Sequence, residues 1–430
     1  MSVPDTAISI YVRKANTDET VLAFNADLPR SPASTIKTLT TFVALDTLGP
    51  AYTWKTSAYG TGRITNGVLT GDLYLVGGGD PYMTSERWWS FVQGIRQTGI
   101  QDIRGNIVID NTYFSPLGIN RGAFDAQPYR SYNVFPDALL VNFQTSRFNL
   151  YVDPKRPRPV VTVDPWPANL IIDNRVRVGP GRCEGYDRGI TFETPGTTNS
   201  TTVVLSGVLA TACGGFSMNR AIMTPPEYAF GTFKTLWQQL GGSVSGALKL
   251  GKVPADAQPL FTLESLTNAE IIRLVNKYSN NVMARDLLLT LGADQFGAPG
   301  TPDKGRNAVL SWLTQHKIKI PGLVLENGSG LSREERITVR GMGEMLDIAW
   351  HSPFMPEFAA SLPLSATDGT LRNRFSGAGM QGRLRLKTGR IDDVSGLAGF
   401  VNSASGNTYV VVILVNYPKA EQGVAEPIQA

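Results

Sequence analysis

Residues 382–417, GRLRLKTGRIDDVSGLAGFVNSASGNTYVVVILVNY, read as three consecutive antiparallel strands: GRLRLKTG, VSGLAGFVN and TYVVVILVNY are short apolar-rich runs, with the last two joined by the turn SASGN. The N-terminus supplies matching material. Residues 8–13 alternate as a half-buried strand, ANTDET turns the chain, and residues 21–24 return as a hairpin partner. The two chain ends are therefore expected in one sheet. Next to the hairpin, after PRSPAS, the run STIKTLTTFVALDTLG carries Ile36, Leu39, Phe42, Val43, Leu45 and Leu48 mostly at spacings of three and four, and Gly49-Pro50 stops it as a helix. Residues 269–291, 304–315 and 337–351 carry helical periodicity as well.

From about residue 52 to about 254 the texture changes to short β runs such as GVLTGDLYLVGG, RGNIVID, RPVVTV and TTVVLSG, spaced by Gly, Pro and Asn. Structureless connections longer than about 15 residues are rare in compact domains, so this stretch is an insertion with a fold of its own. The expected division is a domain of residues 1–54 and 255–430, a mostly-β inserted domain of 55–149 and 215–254, and a nested module of 150–214 marked by the Pro-rich DPKRPRPVVTVDPWPANL and two cysteines. The fold class is α+β multidomain.

The 430 residues are 42% apolar and 18% charged, with 40 Lys+Arg against 36 Asp+Glu, so the chain has ample core material and no basic block of the kind that binds nucleic acid. A specific small or peptidic substrate fits better. No apolar run approaches the ~20 residues that span a bilayer, leaving membrane contact limited to loose surface association. MSVPDTAISIYV lacks the basic start and apolar stretch of a secretory signal and reads as a mature-form start. Cys183 and Cys213, in the polar contexts GRCEG and TACGG, form a disulfide candidate that suits an oxidising compartment; two free thiols are the alternative.

Two histidines, His316 and His351, cannot build a Cys/His metal site of about four ligands, and neither lies near a G-x-S-x-G elbow. No metal and no cofactor are expected, and GALKLGK lacks the Ser or Thr that a phosphate loop needs after its lysine. The remaining route to an activated serine is a lysine base. Lys37 is the one lysine with serine three positions before it, Ser34, and residues three apart share a helix face. Lys387-Thr388-Gly389 is the one Lys-Thr-Gly, on a strand able to bind a carboxylate and receive a peptide along its edge. Four Ser-x-Asn sequences occur, at Ser131, Ser217, Ser279 and Ser405; only Ser279-Asn280-Asn281 lies between the other two motifs in a helical region.

With these three motifs in order, the chain resembles the serine D-Ala-D-Ala peptidases, and most closely the class C low-molecular-mass penicillin-binding proteins. The resemblance extends over GDLYLVGGGDP, YNVFPDALLVNF, NKYSNNVMARDLL, LENGSGLSREERI and LPLSATDGTLRNRF, and the long insertion after the first motif belongs to it. It implies a penicillin-binding-protein/β-lactamase-like domain of antiparallel sheet and flanking helices, and a periplasmic carboxypeptidase and endopeptidase acting on peptidoglycan peptides through an acyl-serine. β-Lactam antibiotics would be covalent inhibitors.

Residue by residue, the resemblance implies Ser34 as nucleophile, Lys37 as its base, Ser279 as proton relay and Asn281 as holder of the substrate amide. Lys387 and Thr388 would bind the terminal carboxylate, with an oxyanion hole from the backbone N–H groups of Ser34 and of Arg390, the residue after Gly389. Arg390 departs from the family's usual Thr or Ser and could supply a bidentate carboxylate contact or narrow the pocket. Asp125 in FDAQPYRSYNVFP is a candidate for the amino group of the stem-peptide diamino acid, and Gln127 fits about as well. Two alternatives stay open: a serine β-lactamase, for which no extra general base is identifiable, and a catalytically silent peptidoglycan-binding scaffold on the same fold.

Overall fold

The structure, a computed structural model, describes residues 3–117, 120–153, 155–185, 187–195, 200–377 and 379–429. The chain forms two compact units: one takes both chain ends, up to Thr53 and from Leu266, and the other runs from Trp54 to Ser265.

In the first unit, β1 (Ile8–Lys14), β2 (Thr20–Phe24), β3 (Leu384–Ile391), β4 (Val394–Asn402) and β5 (Thr408–Asn416) form one antiparallel sheet in the order β3-β4-β5-β1-β2. The ends of the chain meet at β1 and β5, as their alternation implies. Lys387, Ala398, Val412 and Tyr11 stand directly opposite one another in register, so they share a face of the sheet. Gly389 and Gly396, also a register pair, lie two residues along on that same face. β3 is a terminal strand of the sheet; its outer edge is engaged at Leu386, whose N–H reaches Pro363 O at 3.0 Å.

The helices of this unit are α1 (Lys37–Leu48), α2 (Asn268–Tyr278), α3 (Asn281–Phe296), α4 (Pro302–Gln315), α5 (Val339–His351) and α6 (Met355–Ser361). A 3-10 turn, Ala33–Ile36, precedes α1. The periodicity of α1 implies one apolar face, yet all nine residues from Lys37 to Leu45 are buried. The threonine side is covered because it has hydrogen-bond partners: Thr41 Oγ1 donates to Lys37 O, and Asn276 of α2 donates to Thr41 Oγ1 at 3.0 Å and to Ser361 Oγ at 2.9 Å. On the apolar side Phe42 meets Trp312 edge-on at 5.6 Å and Phe358 at 5.1 Å. Burial of such a ring contributes about 1.5–3 kcal/mol, which fixes α1 as the central helix of the unit.

The single helix read over 269–291 is two. Ser279 takes a left-handed conformation (φ 57°) and ends α2, while Asn280 caps α3 by accepting the N–H of Met283 at 3.1 Å. His316 caps the C-terminus of α4 and stacks on Trp312 at 4.0 Å, and His351 is the last residue of α5, so both serve helix ends.

The second unit is built largely of short strands. One sheet runs Leu248–Leu250, Ile107–Asp110, Leu73–Gly77, Lys55–Gly60, Gln258–Glu264. Because the last of these pairs with Lys55–Gly60, the chain leaves the unit at Ser265 rather than near 254. Two helices, Ser85–Gln97 and Pro225–Gln239, pack in the same unit. Phe148, Leu170 and Val203 share one buried cluster with Leu75, Phe91 and Phe233, so the strands around 150–214 are packed onto the core of the rest of the insertion. Cys183 and Cys213 are joined as a disulfide, their Cα atoms 4.9 Å apart. Among the described residues no helix is long and apolar enough to cross a membrane.

Candidate active site

Ser34 sits in the 3-10 turn and Lys37 opens α1, so three residues of tightly wound backbone bring hydroxyl and amine together: Lys37 Nζ donates to Ser34 Oγ at 2.8 Å. Lys37 is completely buried and Ser34 half-buried. The same amine donates to Asn281 Oδ1 at 2.7 Å and to the carbonyl of Ser329. Ser279 and Asn281 reach the site from consecutive turns because the α2–α3 break lies between them.

Lys387, also completely buried, donates from β3 to Ser279 Oγ at 2.9 Å and to Thr388 O at 2.7 Å. Thr388 Oγ1 donates to Thr370 Oγ1 at 2.8 Å. That loop is anchored by a bidentate pair, Lys277 Nζ to Asp368 at 2.7 and 2.8 Å. Gly389 lets the strand approach the serine turn: a Cβ there would lie 2.6 Å from Pro32 O and 3.1 Å from Thr35 N. Two lysine–serine pairs and one asparagine thus converge from three separate stretches of chain.

Burial drives both amines toward neutrality. Lys37 is held well below the ordinary lysine range, first by desolvation and then by the charges of Lys387 and Arg285, while Glu335 acts in the opposite sense. Desolvation brings Lys387 down to about 7. Burial likewise lowers Arg285, one turn beyond Asn281 on α3, and raises the carboxyl of Glu335 against three backbone N–H groups and Lys37. An amine whose hold on its proton is weakened by burial, set beside a hydroxyl, is the chemistry of an activated serine.

Ser34, Lys37, Ser279, Asn281, Lys387, Thr388 and Gly389 are thus gathered in one place. Arg390 follows on β3 with its side chain exposed and forms no ion pair among the described residues. Asp125 belongs to the second unit, where its carboxylate accepts from Tyr132 Oη at 2.6 Å, Asn133 Nδ2 at 2.8 Å and the N–H of Gln127 at 3.0 Å, bracing its own turn; Gln127 O accepts from Asn133 Nδ2. Ser329, Glu335, Arg285 and Thr370 carry no role in the sequence reading.

A sheet with the serine turn on one face, a lysine as partner of the hydroxyl and a second lysine on a terminal strand define a lysine-assisted serine hydrolase of the penicillin-binding class. The chain matches the D-Ala-D-Ala carboxypeptidase 3 (S13) family over residues 2–429, and it belongs to that family of serine peptidases. It is 30% identical over 390 residues to the D-alanyl-D-alanine carboxypeptidase of Actinomadura sp. (strain R39), a match covering 87% of this chain and 71% of that one. Its fold is similar to the crystal structure of penicillin binding protein 4 from Haemophilus influenzae, with a TM-score of 0.83 at 22% identity over 99% of this chain and 96% of the other. A predatory endopeptidase from Bdellovibrio bacteriovorus, solved in its penicillin G-acylated form with an immunity protein, has a TM-score of 0.56 at 17% identity over 98% and 89% of the two chains.

Proposed function

We propose that this enzyme hydrolyses the D-Ala-D-Ala ends of peptidoglycan stem peptides, and D-amino-acid cross-links between them, through an acyl-enzyme on Ser34. The observation that carries the reading is the 2.8 Å contact between Ser34 Oγ and the completely buried Lys37 amine. Neutral Lys37 takes the Ser34 proton as the oxygen attacks the carbonyl of the penultimate D-Ala. The tetrahedral oxyanion faces the backbone N–H groups of Ser34 and Arg390. Ser279, tied to Lys387, passes a proton to the leaving D-Ala nitrogen, and water then releases the acyl group. Asn281 holds the substrate amide, and Lys387 with Thr388 binds the terminal carboxylate along the β3 edge. Arg390 adds a second cation beside that carboxylate. A β-lactam follows the same route to a lasting adduct. A periplasmic location is supported by that substrate and by the Cys183–Cys213 bond, which an oxidising compartment preserves.

The test is the intact mass of the protein after incubation with benzylpenicillin, for wild type and Ser34→Ala, with the drug assayed in the supernatant. A one-to-one adduct on wild type alone is expected. Rapid loss of drug without an adduct would make the protein a β-lactamase. No adduct with intact drug would leave a silent binding scaffold.

A further inference from the structure

Glu335 is a completely buried carboxylate that no motif accounts for. Its Oε1 accepts three consecutive backbone N–H groups, from Gly328 at 2.9 Å, Asn327 at 3.0 Å and Glu326 at 3.3 Å. One residue further along that loop is Ser329, whose carbonyl accepts the Lys37 amine. The loop is fastened from other sides too. Asn327 Oδ1 accepts the Ser329 N–H at 3.0 Å and its hydroxyl at 2.6 Å, and Thr40 Oγ1 of α1 donates to Gly328 O at 2.7 Å. Ser332 Oγ, accepting the N–H of Glu335 at 3.1 Å, sets the carboxylate's own backbone.

A neutral acceptor would satisfy those three N–H groups. The carboxylate instead leaves Oε2 buried without a hydrogen-bond partner among the described residues, and an uncompensated buried anion is strongly unfavourable. What compensates it is cationic: Lys37 from α1 and Arg285 from α3. Arg285 also faces Glu326 and Asp286, and Lys37 also faces Lys387 of β3. Glu335 is thus a buried carboxylate among the buried basic groups Lys37, Arg285 and Lys387, with Asp286 a second buried carboxylate beside Arg285.

We propose that Glu335 is a positioning residue for the Lys37 amine: through residues 326–328 it fixes the carbonyl that aims the amine at Ser34. The inference rests on Lys37 being the base. Its charge supports the same reading, because an anion raises the proton affinity of an amine that burial and neighbouring cations lower. Glu335 would keep that amine from being drained of its proton so far that it becomes too weak a base.

The test is the second-order rate of acylation by a chromogenic cephalosporin across pH 5–9, with thermal denaturation alongside. Glu335→Gln keeps an acceptor for the loop and removes the charge, so the acid limb should move to lower pH by about one unit or more while the plateau stays within threefold. Glu335→Ala removes both functions and should lower the plateau by about tenfold or more. An unmoved acid limb in Glu335→Gln, with a plateau as low as that of the alanine variant, would overturn the proposal in favour of a purely structural role. Should the glutamine variant not fold, Glu335→Asp keeps the charge and shortens the reach. A tenfold lower plateau at the wild-type pH dependence supports the positioning role, and a wild-type plateau refutes it. Failure of the base reading is distinct, since Lys37→Arg would then acylate within tenfold of the wild-type rate.

Discussion

Lys37 and Lys387 are both completely buried, and each donates to a different serine, Lys37 to Ser34 at 2.8 Å and Lys387 to Ser279 at 2.9 Å. Two amines in one dry site cannot both behave as ordinary lysines. Burial acts on each, and the charge of Lys387 lowers Lys37 further. The roles proposed above divide along this line: Lys37 takes a proton and Lys387 meets an anion.

That division predicts the pH dependence. Lys37 must be neutral to act, so kcat/KM falls on the acid side. Lys387 must be charged to hold a carboxylate, and it loses its charge as pH rises through about 7. A peptide ending in free D-Ala-D-Ala should give a bell-shaped kcat/KM profile whose alkaline fall begins near pH 7. The C-terminally amidated peptide should keep the acid limb and lose the alkaline one. Identical alkaline limbs for the two peptides would remove Lys387 from carboxylate binding.

Lys37→Arg separates charge from basicity. The guanidinium stays protonated at any working pH and cannot accept the Ser34 proton. Acylation by benzylpenicillin should slow by about a thousandfold, within the usual range for loss of a general base. A loss of less than tenfold would mean that the cation, and not the base, matters at this position.

Gly330 has φ +80°, and a Cβ there would lie 2.0 Å from Ala33 O and 2.6 Å from Ser34 N. Gly330→Ala must therefore displace the serine turn or the Lys37-binding loop, and acylation should drop by about a hundredfold, the scale of a catalytic group misplaced by about 1 Å. Gly406→Ala is the control: its φ is +84°, yet nothing lies within 4 Å of the added atom. It carries the backbone strain without the crowding. Equal loss of activity in the two variants would show that strain alone is responsible.

The sheet and the three motifs are legible in the sequence because strand alternation and motif order are properties of side chains. What stays hidden has physical reasons. Nothing in NKYSNNVMARDLL announces a helix break, since Ser279 enters the left-handed region without a glycine or proline to mark it. The threonine side of α1 looks solvated until Asn276 is seen to cover it. Ser329 acts through its carbonyl, which any residue has, so no side-chain pattern could single it out. Glu335, in SREERI, reads as one more surface charge, and only its three backbone donors show otherwise.

Lys387→Met should make the protein more stable and inactive. Replacing buried ionic groups by apolar side chains of similar volume is often neutral or stabilises by about 1–4 kcal/mol, and 1 kcal/mol moves Tm by roughly 2–4 °C in a domain of this size. The sign follows from the titration. Lys387 is depressed to about 7 in the folded protein, so below that pH the folded state bears the full cost of a buried cation that the unfolded chain keeps in water. Between pH 7 and the ordinary lysine value of about 10.4 the unfolded chain binds the extra proton and wild-type stability climbs. The Tm advantage of Lys387→Met should therefore be full at pH 6 and shrink steadily towards pH 10, measured by calorimetry at constant ionic strength. A Tm advantage independent of pH would mean that Lys387 titrates as an ordinary lysine, and a lower Tm at pH 6 would mean that its hydrogen bonds to Ser279 and Thr388 outweigh the cost of its burial.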